Sequence, residues 1–194
     1  MISQSVHTDK REQILNSALH LFVEFGFNGA PTSKIAQNAG VSNGTLFHYF
    51  KTKDELIVEL YIRLKSELNS FIASKLKNDD DIKTRFRKML TVSIEWALEN
   101  TEKFYYIQQI CFTPHISLVP ESVLKEQMRM YTKLIGDAEA AKMLKKIPAD
   151  LVAVLGASHF TGMHNYVKTL PACRRKAVID KGFELFWETI SEKV

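Results

Sequence analysis

Residues 31–53 read PTSKIAQNAGVSNGTLFHYFKTK, and this stretch holds the side chains best suited to chemistry on a nucleic acid. Asn43 carries an amide that can both donate to and accept from a base edge. Gly44 lacks side-chain bulk, so a helix starting here can approach a duplex closely. Thr45 offers a hydroxyl to phosphate and a methyl to thymine, and Phe47 offers an apolar face to the same methyl. His48 points outward in the same unit. Tyr49 and Lys53 suit phosphates on one flank, and Thr32, Ser33 and Lys34 suit them on the other. Ser42 is the expected N-cap, and the backbone N–H groups behind it present the positive end of a helix dipole. Phosphate contacts position such a unit, whereas Asn43, Thr45 and Phe47 specify sequence.

Two short helices must hold these groups. Periodicity predicts helices over about 33–39 and 43–49, with Thr32 and Ser42 as caps and Gly40 in the sharp turn. Ile35, Ala36 and Ala39 face inward on the first, Leu46 and Phe50 on the second, and Val41 plugs the space between. Four consecutive residues sweep the helix circumference, so Phe47, His48, Tyr49 and Phe50 cannot all be buried. A plain helical hairpin is the alternative to a binding surface.

A helix over about 9–25 comes before them, with Thr8 as cap, an apolar stripe of Ile14, Leu15, Ala18, Leu19, Phe22 and Phe25, and Gly26 as its stop. Thr52-Lys53-Asp54-Glu55 is a capping box that opens a long helix to about residue 77, and Asn78-Asp79-Asp80-Asp81 breaks the pattern. Further helices are expected at about 82–99, 102–112, 120–145, 149–169 and 172–191. The fold class is all-α: an N-terminal three-helix helix-turn-helix domain over 1–52 (the motif itself about 32–50), then a larger C-terminal helical domain over 53–194.

Composition narrows the function classes. The net charge is +4, yet residues 1–60 hold five Lys and Arg against six Asp and Glu. Bulk charge therefore does not point at the DNA-reading segment. No apolar run of membrane-spanning length and no signal core precede the first helix, so a cytoplasmic protein is expected. Cys111 and Cys173 read as two reduced structural thiols. His159 and His164 are five apart, outside the spacing that puts two ligands on one helix face. With no phosphate loop, nucleophile elbow or paired carboxylates, no metal, no cofactor and no enzyme are expected; a small all-α enzyme is a distant alternative.

The run REQILNSALHLFVEFGFNG followed by TSKIAQNAGVSNGTLFHYFKTKDEL resembles the DNA-binding domain of the tetracycline-repressor (TetR/AcrR) family. The matching residues include Thr32, Ile35, Ala36, Ala39, Gly40, Val41, Ser42, Gly44, Leu46, Tyr49, Phe50 and Lys53, and they cover about the first quarter of the chain. The resemblance implies a homodimeric one-component regulator, usually a repressor, on a palindromic double-stranded operator. It implies a small-molecule effector in the C-terminal domain that moves the connector helix, about 53–77. A DNA-binding dimer without small-molecule response is the nearer alternative. Candidates to line the effector pocket are Trp96, Phe104, Tyr105, Gln108, Phe112, His115, Met128, Tyr131, His159 and Met163. The last two helices are the family's dimerisation pair, with Ala153, Gly156, Ala157 and Phe160 on one and Phe183, Phe186, Trp187 and Ile190 on the other. Each of these apolar residues has a competing reading as plain core.

Overall fold

The chain forms helices wherever apolar residues recur at helical spacing and breaks where glycine, proline or a capping side chain intervenes. The computed structural model describes residues 2–77 and 79–192, with side chains from residue 10 onward. Among the described residues the helices are α1 (Ile2–Gly29), α2 (Thr32–Asn38), α3 (Asn43–Tyr49), α4 (Lys53–Lys75), α5 (Ile82–Glu99), α6 (Thr101–Cys111), α7 (Glu121–Ala140), α8 (Ala149–Val167) and α9 (Ala172–Ile190). A 3-10 turn covers Pro114–Leu118, and among the described residues the only pairing of extended backbone is the isolated bridge Leu144–Ser191. The all-α expectation therefore holds.

Packing groups the described residues into two units: the chain up to Ser66 with Thr101–Val123, and Glu67–Asn100 with the chain from Leu124 on. These boundaries differ from the expected division after residue 52. By packing, the first half of α4, α6 and the 3-10 turn stand with the helix-turn-helix.

In the first unit, α1 lies against α2 and α6. Its inner face is Ile14, Leu15, Ala18, Leu19 and Phe22, all buried. Gly26 breaks the helix with φ 71 and ψ 169, and one more helical turn follows. Past this break Phe27 is buried, while Phe25, expected in the apolar stripe, is 41% exposed. The Phe27 ring meets Phe22 at 5.4 Å and Tyr106 at 5.6 Å, and the Tyr106 hydroxyl donates to the Ile57 carbonyl at 2.7 Å. Helix α1 begins well before Thr8, so that residue does not start it, and Thr8's side chain and Asn78 lie outside the described residues. The start of α4 is capped as expected: Thr52 Oγ1 accepts from Glu55 N at 3.0 Å. Glu55 Oε2 reaches back one residue further than a capping box requires, to Lys51 N at 2.6 Å.

In the second unit, α5, α8 and α9 pack mutually. One core cluster joins Ile135 and Ala138 of α7, Val152 of α8, and Phe183, Trp187 and Ile190 of α9. Asp81 caps α5 by accepting from Thr84 N at 2.9 Å. Helix α7 ends five residues short of the expected 145. Lys142 takes a left-handed φ of 54, and Met143 N closes the end on the Ala138 carbonyl at 3.0 Å. A lysine thus fills a place that glycine usually holds. The chain then leaves helix to pair Lys145 N with the Ile190 carbonyl at 2.9 Å, and Lys145 Nζ caps the end of α9 on the Glu188 and Thr189 carbonyls.

Two histidines sit inside this unit. Burial holds His159 below the ordinary histidine value of 6.5, and its ring stacks on Phe186 at 5.2 Å. Burial, then the Lys168 charge, does the same to His164, which is 1% exposed. The native state therefore binds fewer protons here than the unfolded chain, so their contribution is full above about pH 6.5 and falls as pH drops below it. The melting temperature should fall between pH 7.5 and 5.5. In differential scanning calorimetry a His159→Phe, His164→Leu double variant should lose distinctly less over that interval.

Candidate nucleic-acid interface

The α2–α3 pair is built on one turn and one buried base. Helix α2 closes with Gly40 at φ 66, Val41 N donating to the Ala36 carbonyl at 3.0 Å and Gly40 N to the Gln37 carbonyl at 3.1 Å. This double closure needs a left-handed residue at its corner, which glycine supplies without steric cost. Ser42 then caps α3, its Oγ accepting from Thr45 N at 3.1 Å and bonding Thr45 Oγ1 at 2.9 Å. Thr32 does not cap α2, however. Pro31 takes the cap position with no side-chain bond, and Thr32 is the first helical residue.

Leu46 (0% exposed) and Phe50 (1%) anchor α3, and Ile35 and Ala36 anchor α2. Ser17 of α1 locks α2 by donating to the Ile35 carbonyl at 2.8 Å. Arg11 ties α1 to both neighbours: it bonds Glu59 of α4 at 2.6 Å and lies 5.4 Å over the Phe50 ring. Arg63–Glu12 is a second α1–α4 ion pair, at 2.5 Å.

With Leu46 and Phe50 turned inward, helical periodicity puts Asn43, Gly44, Phe47 and His48 on one outer face, and all four are exposed. Phe47 is 40% exposed, an unusual place for a phenylalanine unless something covers it. A Cβ on Gly44 would meet only Ser42 Oγ at 3.7 Å. The chain's own packing therefore gives no reason for a glycine there, whereas close approach of an outside surface does. Thr45 and Tyr49 are half-buried on the flank of this face.

The expected phosphate groups divide in two. Ser33 and Lys34 are exposed, but the Lys34 ammonium lies 4.1 Å over the Phe25 ring, which explains why Phe25 can stay outside. Lys53 is half-buried, 5.9 Å from the Phe22 ring, and burial pushes its pKa down despite Asp54 beside it. Lys51 is a further cation beside α3, outside the set expected from the sequence. It is exposed at the end of α3, with Nζ 3.3 Å from the His48 carbonyl. Its place in a Lys-Thr-Lys run just past the reading helix was the available signal.

The pocket candidates are distributed over both packing units. Phe104, Tyr105, Gln108, Phe112 and His115 belong to the first packing unit, and Trp96, Met128, Tyr131, His159 and Met163 to the second. Tyr105, Gln108 and Phe112 line a shallow groove with Val23 and Gln109, where Phe112 is 85% exposed. Phe104 is 2% exposed, and the His115 ring lies tilted against Phe27 at 4.9 Å with Asp54 3.6 Å away. In the second unit Trp96 is 2% exposed, Met128 is exposed, and Met163 packs toward Gly182.

The dimer candidates divide by burial, and three of them are core. Phe183, Trp187 and Ile190 are buried in the chain's own core, and Phe86 covers Trp187 at 5.4 Å. Ala153, Gly156, Phe160 and Phe186 are half-buried, with Gly156 facing the Phe186 ring, and Ala157 alone of the set is exposed. The outward face of α8 carries Leu151, Val154, Ser158 and Gly162, spaced three and four apart, with Ala157 beside them. Leu185 on α9 is 53% exposed.

A family model for bacterial regulatory proteins of the tetR family matches residues 14–60. The chain is 34% identical over 184 residues to the HTH-type transcriptional repressor Rv1474c of Mycobacterium tuberculosis, across 79% of this chain and 93% of that one. It is 34% identical over 76 residues to the fatty acid metabolism regulator protein of Bacillus subtilis, a match that takes in 36% of the Bacillus protein and 39% of this chain. Among solved structures, a tetR-family transcription regulator from Shewanella sp. PV-4 superposes with a TM-score of 0.86 at 28% identity, covering 95% of this chain and 99% of that one. These relatives are transcriptional regulators, not enzymes.

The turn geometry makes a stability test. Gly40→Ala should destabilise the chain by about 1–2 kcal/mol in urea unfolding, since an L-residue resists the left-handed backbone. Gly136→Ala, within α7 and facing open space, should be neutral or stabilising by up to about 1 kcal/mol.

Proposed function

Since this chain belongs to the tetR family of bacterial transcriptional regulators, we propose that it binds double-stranded operator DNA as a homodimer in the cytoplasm, represses transcription, and is released by a small molecule taken up in the second unit. The observation that carries the DNA reading is the exposed Asn43–Gly44–Phe47–His48 face, held over the buried Leu46 and Phe50. An asparagine amide can pair with both edge atoms of adenine, and a phenylalanine can cover a thymine methyl. Ser33, Lys34, Lys51, Tyr49 and Lys53 serve the flanking phosphates. No helix among the described residues is long and apolar enough to cross a membrane, which agrees with a cytoplasmic regulator. A named repressor among its relatives supports repression.

A single copy carries few cations near α3, and residues 1–60 are slightly acidic. One copy would bind weakly, so the dimer supplies the affinity. The apolar stripe of α8, Leu151 and Val154 with the small Ser158 and Gly162, and Leu185 of α9 form the surface we assign to the partner copy. A two-fold dimer must set its reading helices about 34–36 Å apart to meet successive major grooves. Helix α4 contributes residues to both packing units, which suits it to carry a change from an effector to the reading helix. For the effector to release DNA it must bind the non-binding state more tightly.

Fluorescence anisotropy on a duplex enriched by the full chain tests the residue roles. Asn43→Ala and Phe47→Ala should each relax specificity by about 1–3 kcal/mol at one base position. Lys53→Ala should weaken binding to all sequences evenly and lower the salt slope by about one. Equal losses on all sequences for all three would remove the base-reading role. In light scattering the wild type should be a dimer at micromolar concentration, and Val154→Glu or Leu185→Glu should give folded monomers; a monomeric wild type would sink the dimer.

A further inference from the structure

The second unit holds polar atoms that its own fold leaves unanswered. Asn69 of α4 donates from Nδ2 to the Gln127 carbonyl of α7 at 2.8 Å. That bond orients the Asn69 amide, so the atom left over is the oxygen Oδ1, which is buried without a partner. Gln127 is only 6% exposed, and both its Oε1 and its Nε2 are buried without a partner. Whichever way that amide is turned, it leaves one donor and one acceptor. One turn along α7, Tyr131 hydrogen-bonds Ser93 of α5, and burial pushes the Tyr131 hydroxyl up to about 12. Both α4 and α5 thus reach α7 through polar side chains one turn apart. Native interiors almost always satisfy such groups, and each one left open costs stability.

The unanswered set is two acceptors and one donor. Its complement is a group with two donors and one acceptor on an uncharged molecule. A carboxylate has no donor and would set its oxygens against Asn69 Oδ1 and Gln127 Oε1. An ammonium would leave Gln127 Nε2 unpaired and bury a charge among neutral amides. A primary carboxamide carries two donors and one acceptor, the complement of this set. Ile72, a turn on from Asn69, and Leu134, two turns on from Gln127, are buried apolar neighbours on the same faces, and they suit an apolar body on that head.

We propose that the small molecule taken up by the second unit carries a primary carboxamide, with Asn69 Oδ1 and Gln127 Oε1 accepting from its N–H groups and Gln127 Nε2 donating to its carbonyl. This rests on the reading that the chain answers a small molecule. The test uses the full chain with three matched probes, hexanamide, hexanoate and hexylammonium, in calorimetry and thermal unfolding. Hexanamide should bind at least about tenfold more tightly than either ion. Gln127→Leu should abolish that preference and melt no lower than the wild type, because it removes an unpaired amide rather than a bond; Asn69→Leu should weaken the preference too. Any of four results overturns the proposal: an ion binding as tightly as hexanamide, no binding of any probe at millimolar concentration, Gln127→Leu binding hexanamide as the wild type does, or a folded Gln127→Leu that melts several degrees lower because the amide is paired in the fold or to a fixed water. Operator affinity is read separately. Hexanamide binding with unchanged DNA affinity would count against small-molecule release and leave the carboxamide site standing.

Discussion

Helices α2 and α3 have seven residues each, too few to stand alone in water. Everything the helix-turn-helix does depends on the burial that holds them: Ile35, Ala36, Leu46 and Phe50 against α1 and its neighbours. The lock is redundant, with Ser17 on the Ile35 carbonyl and Arg11 both pairing Glu59 and covering Phe50. Because one face of α3 is committed to that base, helical periodicity assigns the opposite face without further choice. The outer position of Asn43, Gly44, Phe47 and His48 is a consequence of the core.

What was legible in the sequence was what short-range chemistry decides. Ser42, Gly40 and Thr52–Glu55 each act on atoms within four residues, and each does what its residue type requires. Less legible was which side of an apolar helix meets its own chain. Phe183, Trp187 and Ile190 read as a surface for a partner, but they close the core with Ile135 and Val152. The outward face of α8 is made of residues no more apolar than its inner face, so periodicity alone could not rank the two. The break at Gly26 exchanged Phe25 for Phe27 through the backbone of a single residue. Lys142 ended α7 in a conformation for which lysine gives no warning.

The pocket candidates show the limit of local reading in a different way. They were gathered by residue type, and the fold sorts them into two units because residues 101–123 pack with the helix-turn-helix. That grouping depends on contacts far apart in sequence, such as the Tyr106 hydroxyl on the Ile57 carbonyl. Asn69 and Gln127 had no apolar character to draw notice. Their interest comes from individual buried amide atoms without partners, which only the packed structure reveals. The most local feature of the chain was thus the easiest to read, and the buried polar group assembled from three helices the hardest.

Charge draws these points together. The basic excess of the chain lies outside residues 1–60, so under the proposed function the interface rests on placed groups and on two copies rather than on bulk attraction. The measurement that tests this most directly is sequencing of the duplexes that the purified full chain retains from a random pool. The account predicts one enriched, two-fold-symmetric sequence with half-sites about one helical turn apart, and loss of that enrichment with Asn43→Ala. Retention of duplexes without enrichment, or an enriched site with no symmetry, would contradict it.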